Sequence, residues 1–361
     1  MHDGFVFKCL NISQEELDIY DARKEPFQIY GLYQPKETGI FRRMPTDVAQ
    51  SVSKRVYMLH TNTAGARIRF VTDSPFIAVG AVYPPMEFPS ARTAAFAGAG
   101  AFSFDLYADN QYCRVLWPMD LIQRGSVVSF DIPDGHYEGF CELGEKKFRQ
   151  ITLNFPSFVN VRDAYIALQK GSEVTAAPAY QNQKPVVFYG SSITQGACAS
   201  HSGNIYQNIL SRQLNFDYIN LGFASGAKAE DAIIDYLCTL DMCVLVFDYD
   251  HNAKDIEYLE KTHLRALRKL RAAHPDIPFI VLSRPNRDPT QEIALERAKL
   301  IEENCRILSV EGNAPVHFVD GQAIFRSHDS EMMTIDGTHP TDLGFHCIAQ
   351  ALFSLMAMYL G

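Results

Sequence analysis

The chain has 361 residues, is 47% hydrophobic and 21% charged, and carries a formal net charge of −9. That length exceeds one ordinary compact domain, so two are expected, and the acidic balance argues against nucleic acid or an anionic membrane as a partner. No apolar run reads as long enough to cross a bilayer, and the start Met1-His2-Asp3-Gly4-Phe5 lacks the basic-then-apolar pattern of a signal peptide; a cytoplasmic protein is expected, or an exported one if a leader has been trimmed away.

Residues 1–175 read as mostly strand. Arg67-Ile68-Arg69-Phe70-Val71 alternates polar and apolar, and the apolar run at 76–82 follows a Ser74-Pro75 break. Further candidates lie at 101–107, 126–130 and 149–155, with turn residues such as Pro133-Asp134-Gly135 between them. Many short strands separated by turns predict a β-sandwich. Residues 91–101, rich in alanine, follow neither period and are read as a loop. Trp117 is either packing or a platform for a sugar ring. The eight cysteines form no Cys-x-x-Cys pair, so reduced thiols are expected rather than a zinc ribbon.

A polar stretch at 171–184, with Gly171 and Pro178, marks a linker. The sequence therefore divides into domains at 1–175 and 176–361. Beyond the linker, five short apolar runs at 185–189, 217–221, 243–247, 278–282 and 316–319 alternate with helical spacing at 255–273, 292–308 and 343–360. Ile256, Leu259, His263, Ala266, Leu267 and Leu270 recur at three- and four-residue steps and make one apolar face, on which His263 is a core histidine. Arg265, Arg268, Lys269 and Arg271 read as the wet face of the same helix. Strands alternating with helices predict a parallel sheet covered on both faces, with functional residues at the carboxyl ends of the strands.

Four fragments fall at those ends. Gly190-Ser191-Ser192-Ile193-Thr194-Gln195-Gly196 follows the first run and precedes a helical stretch from about Asn204. A serine on such a turn has an exposed hydroxyl, a poor nucleophile until a base takes its proton. Thr194 stands where the Gly-x-Ser-x-Gly elbow of α/β-hydrolases has its last glycine, so that elbow is absent. Asp336-Gly337-Thr338-His339 can bring a carboxylate to one imidazole nitrogen and leave the other facing outward, fixing the tautomer; alone it also fits a capping aspartate beside a surface histidine. Asn252 offers a side-chain donor for a developing oxyanion, or is a turn asparagine. A metal reading of Asp336 and His339 lacks companion ligands at suitable spacing, whereas Asp248, Asp250 and His251 invite a rival reading as metal ligands. Together these pieces supply what acyl transfer to water requires.

In these residues the second half, 185–360, resembles the SGNH hydrolases, also called GDSL esterases and lipases. Gly190-Ser191-Ser192-Ile193 resembles their first block, Asn220-Leu221-Gly222-Phe223 the second, Asp250-His251-Asn252 the third and Asp336-Gly337-Thr338-His339-Pro340 the last. Phe104-Asp105-Leu106-Tyr107 is similar to the Gly-x-Asp-Leu-Tyr signature of a β-sandwich that precedes this domain in one branch, with Ser103 at the glycine position. The resemblance implies a three-layer α/β/α domain preceded by a smaller β-sandwich. It implies Ser192 as nucleophile, His339 as base, Asp336 as its orienter and Asn252 as an oxyanion donor, with no metal and no cofactor. The family's second block continues Phe-Ser-Gly and its glycine amide joins the oxyanion hole. Here Phe223-Ala224-Ser225-Gly226 puts Ser225 in that place, or Gly226 after a one-residue slip. The expected activity is hydrolysis of small acyl esters, acetyl esters on carbohydrate foremost, by a Ser-His-Asp acyl-enzyme route. The alternatives are a catalytically silent glycan-binding protein and a lipase or thioesterase of the same fold. The partner is accordingly a small-molecule or carbohydrate ester.

Overall fold

The computed structural model describes residues 4–84, 97–118, 135–285, 292–326 and 330–361. The chain forms two compact units whose segments alternate along the sequence. One comprises Met1–Arg43, Thr61–Ala179 and His201–Gly203; the other comprises Met44–His60, Tyr180–Ser200 and Asn204–Gly361. A single cut between 175 and 176 therefore does not describe the division. Helices α1 (Thr46–Val52) and α2 (Lys54–Leu59) lie in the otherwise strand-rich first half yet belong to the second unit. Ser53 caps α2 by accepting from the Val56 amide at 3.2 Å, a local stop-and-start signal.

The first unit is a β-sandwich. One antiparallel sheet has β1 (Leu17–Asp21), β9 (Asp163–Gln169), β4 (Phe76–Val82) and β7 (His136–Glu142) side by side. The other runs β10 (Val174–Ala176), β3 (Arg67–Thr72), β8 (Arg149–Asn154), β5 (Asp105–Ala108) and β6 (Gln111–Val115), with β2 (Gln28–Tyr30) also pairing β3. Asp109 and Asn110, at φ of 50° and 63°, make the two-residue turn between β5 and β6, the left-handed geometry that tight hairpins need. Tyr137 of β7 packs on Phe104 and Phe104 on Phe155, with ring centroids 5.5 and 4.8 Å apart, so the two sheets share one core. The strand expected at 126–130 and residues 91–96 lie outside the described residues. Residues Gly98–Phe102 form a short helix, α3, where the sequence reads as a loop. Alanine favours helix, but five residues are too few for a 3.6-residue period to register.

The second unit carries a parallel five-stranded sheet in the order β12 (Phe216–Gly222), β11 (Asn182–Gly190), β13 (Val244–Asp248), β14 (Phe279–Leu282) and β15 (Val316–Val319). Side chains alternate across it. Val186, Phe188, Val244, Val246, Ile280 and Leu282 enter a core with α5 (Tyr206–Leu214), α9 (Gly321–Arg326) and α10 (Asp342–Leu360). Tyr189 and Phe247 point the other way, where Phe247 meets His263 of α7 (Ile256–Ala273). Helices α6 (Asp231–Thr239) and α8 (Glu292–Glu311) pack on α7, which completes three layers.

Two readings need correction. Helix α10 has 19 residues and a mean hydropathy of 1.5, so by length and composition it could cross a membrane. His346, Gln350 and Ser354 break its apolar run in the sequence; its stripe of Phe345, Ile348, Leu352 and Met356 is buried in the core. Arg271 is not on the wet face of α7. It is 8% exposed, its guanidinium lies over the Phe279 ring 3.8 Å from the centroid, and it donates to the carbonyls of His274, Ile277 and Pro315. A long cation can bury its stem and spend its head on loop carbonyls, which charge patterning does not reveal.

Candidate active site

Strand β11 ends at Gly190. A Cβ there would sit 2.1 Å from Thr194 Oγ1 and 2.2 Å from the Asp248 carbonyl, so only glycine fits. The Ser191 hydroxyl then caps a one-turn helix, α4 (Ser192–Gln195), by accepting from the Ile193 amide at 3.2 Å. Ser192 therefore opens its own short helix; the longer helix expected after it is α5. Ser192 Oγ lies 2.9 Å from His339 Nε2. His339, 7% exposed, has Nδ1 2.8 Å from Asp336 Oδ2. The Asp336 turn is fixed by its own carboxylate, whose Oδ1 accepts from the amides of Thr338 at 3.0 Å and His339 at 2.8 Å. Burial pushes the Asp336 carboxyl up, but the hydrogen bonds from the His339 amide and ring outweigh it and hold it down to about 2.

The second block meets this turn closely. A Cβ on Gly222 would lie 2.2 Å from the Gln195 nitrogen. Asn220 Nδ2 and Gln207 Nε2 both donate to the Thr194 carbonyl, at 2.7 and 2.8 Å, and Asn220 Oδ1 accepts from the Gly222 amide at 2.9 Å. Gln195 Oε1 accepts from the Ala224 amide at 2.9 Å. The Gly226 amide is spent on the Phe223 carbonyl at 2.8 Å. Ser225 takes the left-handed conformation, φ 58°. Among the described residues no acceptor faces the amides of Ser192 or Ser225. Of the two alignments left open by the sequence, the ungapped one thus has the available amide. Asn252 Nδ2 donates to the Phe223 carbonyl at 3.0 Å, which uses one of its two protons and brings the third block to the second.

The carboxylates of the metal-ligand reading are engaged elsewhere. Asp248 is 2% exposed and accepts from Thr194 Oγ1 at 3.1 Å; burial pushes its pKa well above the usual carboxylate range. Asp250 is ion-paired with Arg297 at 2.7 Å. Burial drives His251 down to about 3, helped by the positive fields of Arg284, His339 and Arg297 against that of Asp250. Among the described residues no three His, Cys, Asp or Glu side chains converge as a metal site would need.

Some contributors escaped the sequence reading. Arg55 of α2 donates from Nε to the Ala224 carbonyl at 2.8 Å, from a segment with no motif at all. Gln195 and Thr194 lie inside a quoted block, but nothing in a linear motif says which neighbours they hold. In the first unit, Asp105 of the Asp-Leu-Tyr signature is fully buried. It accepts from Asn154 Nδ2 at 2.6 Å and the Gly203 amide at 2.6 Å, and its other partner is His201 Nδ1 at 2.8 Å. Trp117 is 52% exposed.

A hydroxyl, an imidazole and a carboxylate in hydrogen-bonding sequence at the carboxyl rim of a parallel sheet define an acylhydrolase-type centre. Residues 183–357 match the GDSL-like Lipase/Acylhydrolase family, and residues 17–174 match the N-terminus of SGNH-hydrolase-type esterases. No curated protein sequence matches the chain. Among solved structures, a Bacteroides ovatus protein named for its likeness to GDSL lipases is 24% identical. It covers 95% of this chain and 98% of its own, with a TM-score of 0.79. The salicylyl-acyltransferase SsfX3 of a tetracycline biosynthetic pathway is 16% identical over 97% of this chain and 100% of its own, TM-score 0.73. The acetyl xylan esterase Est2A of the rumen bacterium Butyrivibrio proteoclasticus is 11% identical over 95% and 99%, TM-score 0.55. At these identities the structures speak to the fold. The chain belongs to the SGNH hydrolases, the GDSL-type esterases and lipases, in the branch that carries an N-terminal β-sandwich.

Proposed function

We propose that the protein is a serine esterase that removes small acyl groups, acetyl foremost, from a carbohydrate. The observation that carries this reading is the continuous hydrogen-bonded run from Ser192 Oγ through His339 to Asp336, at 2.9 and 2.8 Å. Ser192 Oγ attacks the ester carbonyl carbon while His339 Nε2 takes its proton. The oxyanion is held by the Ser192 and Ser225 amides and by the Asn252 side chain. His339 returns the proton to the departing alcohol, and the same imidazole then draws a proton from water to release the acid. Asp336 stays ionised throughout and stabilises the imidazolium. The preference for acetyl and for sugar rests on analogy with the acetyl xylan esterase named above.

The test is hydrolysis of p-nitrophenyl acetate, its butyrate and longer homologues, and an acetylated xylo-oligosaccharide. Ser192→Ala is expected to lower kcat by at least roughly 1,000-fold with an unchanged melting temperature. A Ser192→Ala variant with wild-type rates would sink the mechanism. Acyl transfer to an added alcohol in place of water uses the same acyl-enzyme, and the ratio of transfer product to free acid separates the two.

A further inference from the structure

Asn252 stands on a three-residue turn, Asp250–Asn252, directly after β13. No side chain caps the start of that turn at Tyr249. What grips it comes from the second turn of α8. Arg297 is 2% exposed and Asp250 1%. Arg297 Nε donates to Asp250 Oδ1 at 2.7 Å. Its Nη2 donates to two carbonyls, Asp250 at 2.5 Å and Ala253 at 3.1 Å, one on each side of His251 and Asn252. The second carboxylate oxygen of Asp250 accepts from the Arg284 amide at 2.9 Å, two residues past the end of the neighbouring strand β14. One planar guanidinium therefore fixes the side chain at the start of the turn and the backbone at both ends of it.

A fully buried ion pair is a poor way to gain stability, because desolvating both charges offsets most of their attraction. What it supplies is geometry: a fork of donors at fixed angles, which an ammonium does not reproduce. The Asn252 side-chain amide has to meet a charge that exists only in the transition state, so its placement matters more than its presence. We infer that Arg297 is a positioning residue for the oxyanion hole, acting through the Asp250–Ala253 turn on Asn252. This rests on the reading of Asn252 as an oxyanion donor.

A double-mutant cycle tests it, with Arg297→Met, Asn252→Ala and the double variant assayed on p-nitrophenyl acetate below the melting point of the weakest. Arg297→Met is expected to lower kcat about 10- to 100-fold, less than loss of a whole donor, with KM within about twofold. In the Asn252→Ala background the same substitution should cost less than about threefold, because the group it positions is gone. Arg297→Lys should recover thermal stability but less than half of the lost rate in logarithmic terms, and it carries the same cycle if Arg297→Met does not fold. Equal losses in both backgrounds, or a wild-type kcat for Arg297→Met, would overturn the inference. An Asn252→Ala variant with wild-type kcat would overturn it too, since Arg297 would have nothing to position. Ser192→Ala separates the two levels: abolished turnover with an additive cycle defeats only the role of Arg297, whereas an active Ser192→Ala defeats the esterase mechanism beneath it.

Discussion

Ser225 carries its amide at φ 58°, in the left-handed region that favours glycine. A side chain in the left-handed region costs about 1–2 kcal/mol, and replacing it with glycine returns unfolded-state entropy worth about 0.5–1 kcal/mol. Ser225→Gly is therefore expected to raise stability by roughly 0.5 kcal/mol while leaving the amide in place. Its kcat on p-nitrophenyl acetate should stay within about threefold of wild type, since the donor count is unchanged. Urea unfolding and steady-state rates check both; a tenfold fall in kcat would mean that the serine side chain itself takes part. The sequence left Ser225 and Gly226 as equal candidates because a motif counts residues and does not report φ. Only the backbone shows that the Gly226 amide is already bonded to Phe223. The pair Asp336 and His339 was easier to read, because an i, i+3 turn fixes their distance locally. The approach of Ser192 to His339 spans 147 positions and is made only by the tertiary fold, which no local spacing reports.

At the scale of elements, the five parallel strands were legible as short apolar runs because the sheet is covered on both faces, and the three long helices because each buries one stripe and writes its period into the sequence. Helix α7 shows what that period conveys and what it omits. His263 falls on its apolar face and is 2% exposed; Asn304 Nδ2 of α8 donates to its Nδ1 at 3.1 Å. Protonation would turn that acceptor into a second donor facing a donor. Burial drives the His263 pKa down to about 4, against a smaller opposing effect of Asp250. The folded state therefore binds fewer protons than the unfolded state between about pH 4 and 6.5, and stability rises with pH across that window. Below the folded value both states are protonated and the loss is complete. Acidification from pH 7 to 5 should cost about 1–2 kcal/mol through this one ring. His263→Gln, which keeps a hydrogen-bonding side chain without a titrating group, should show a flatter dependence of its urea midpoint over the same range. Parallel slopes for the two proteins would refute the assignment. The position of the ring was legible in the sequence; its partner, one element away in space and 41 residues away in sequence, was not.

At the scale of the whole chain, two domain-sized matches at 17–174 and 183–357 suggest that the catalytic part could be cut out. The division into compact units argues otherwise. Helices α1 and α2, within Met44–His60, belong to the unit that holds Ser192. Helix α1 packs on α6, Val56 and Leu59 of α2 are each 1% exposed, and a Cβ added to Gly226 would come 3.2 Å from Arg55 Cγ. Removing two buried aliphatic side chains of this size forfeits about 3–6 kcal/mol, a large part of the 5–15 kcal/mol by which ordinary domains are stable. A fragment of residues 176–361 is accordingly expected to melt at least roughly 10 °C below the intact chain, or to aggregate. Loss of the Arg55 bond to the Ala224 carbonyl should act separately on the rate. In the intact chain Arg55→Met should lower kcat about tenfold, because that carbonyl belongs to the residue immediately before Ser225. The melting temperature should move by only a few degrees, as expected for the contacts of one partly exposed side chain. A fragment that keeps both the stability and the kcat of the intact chain would show that the α1–α2 segment is dispensable. An Arg55→Met variant whose rate falls only in step with its folded fraction would remove the arginine from the site and leave it a structural contact.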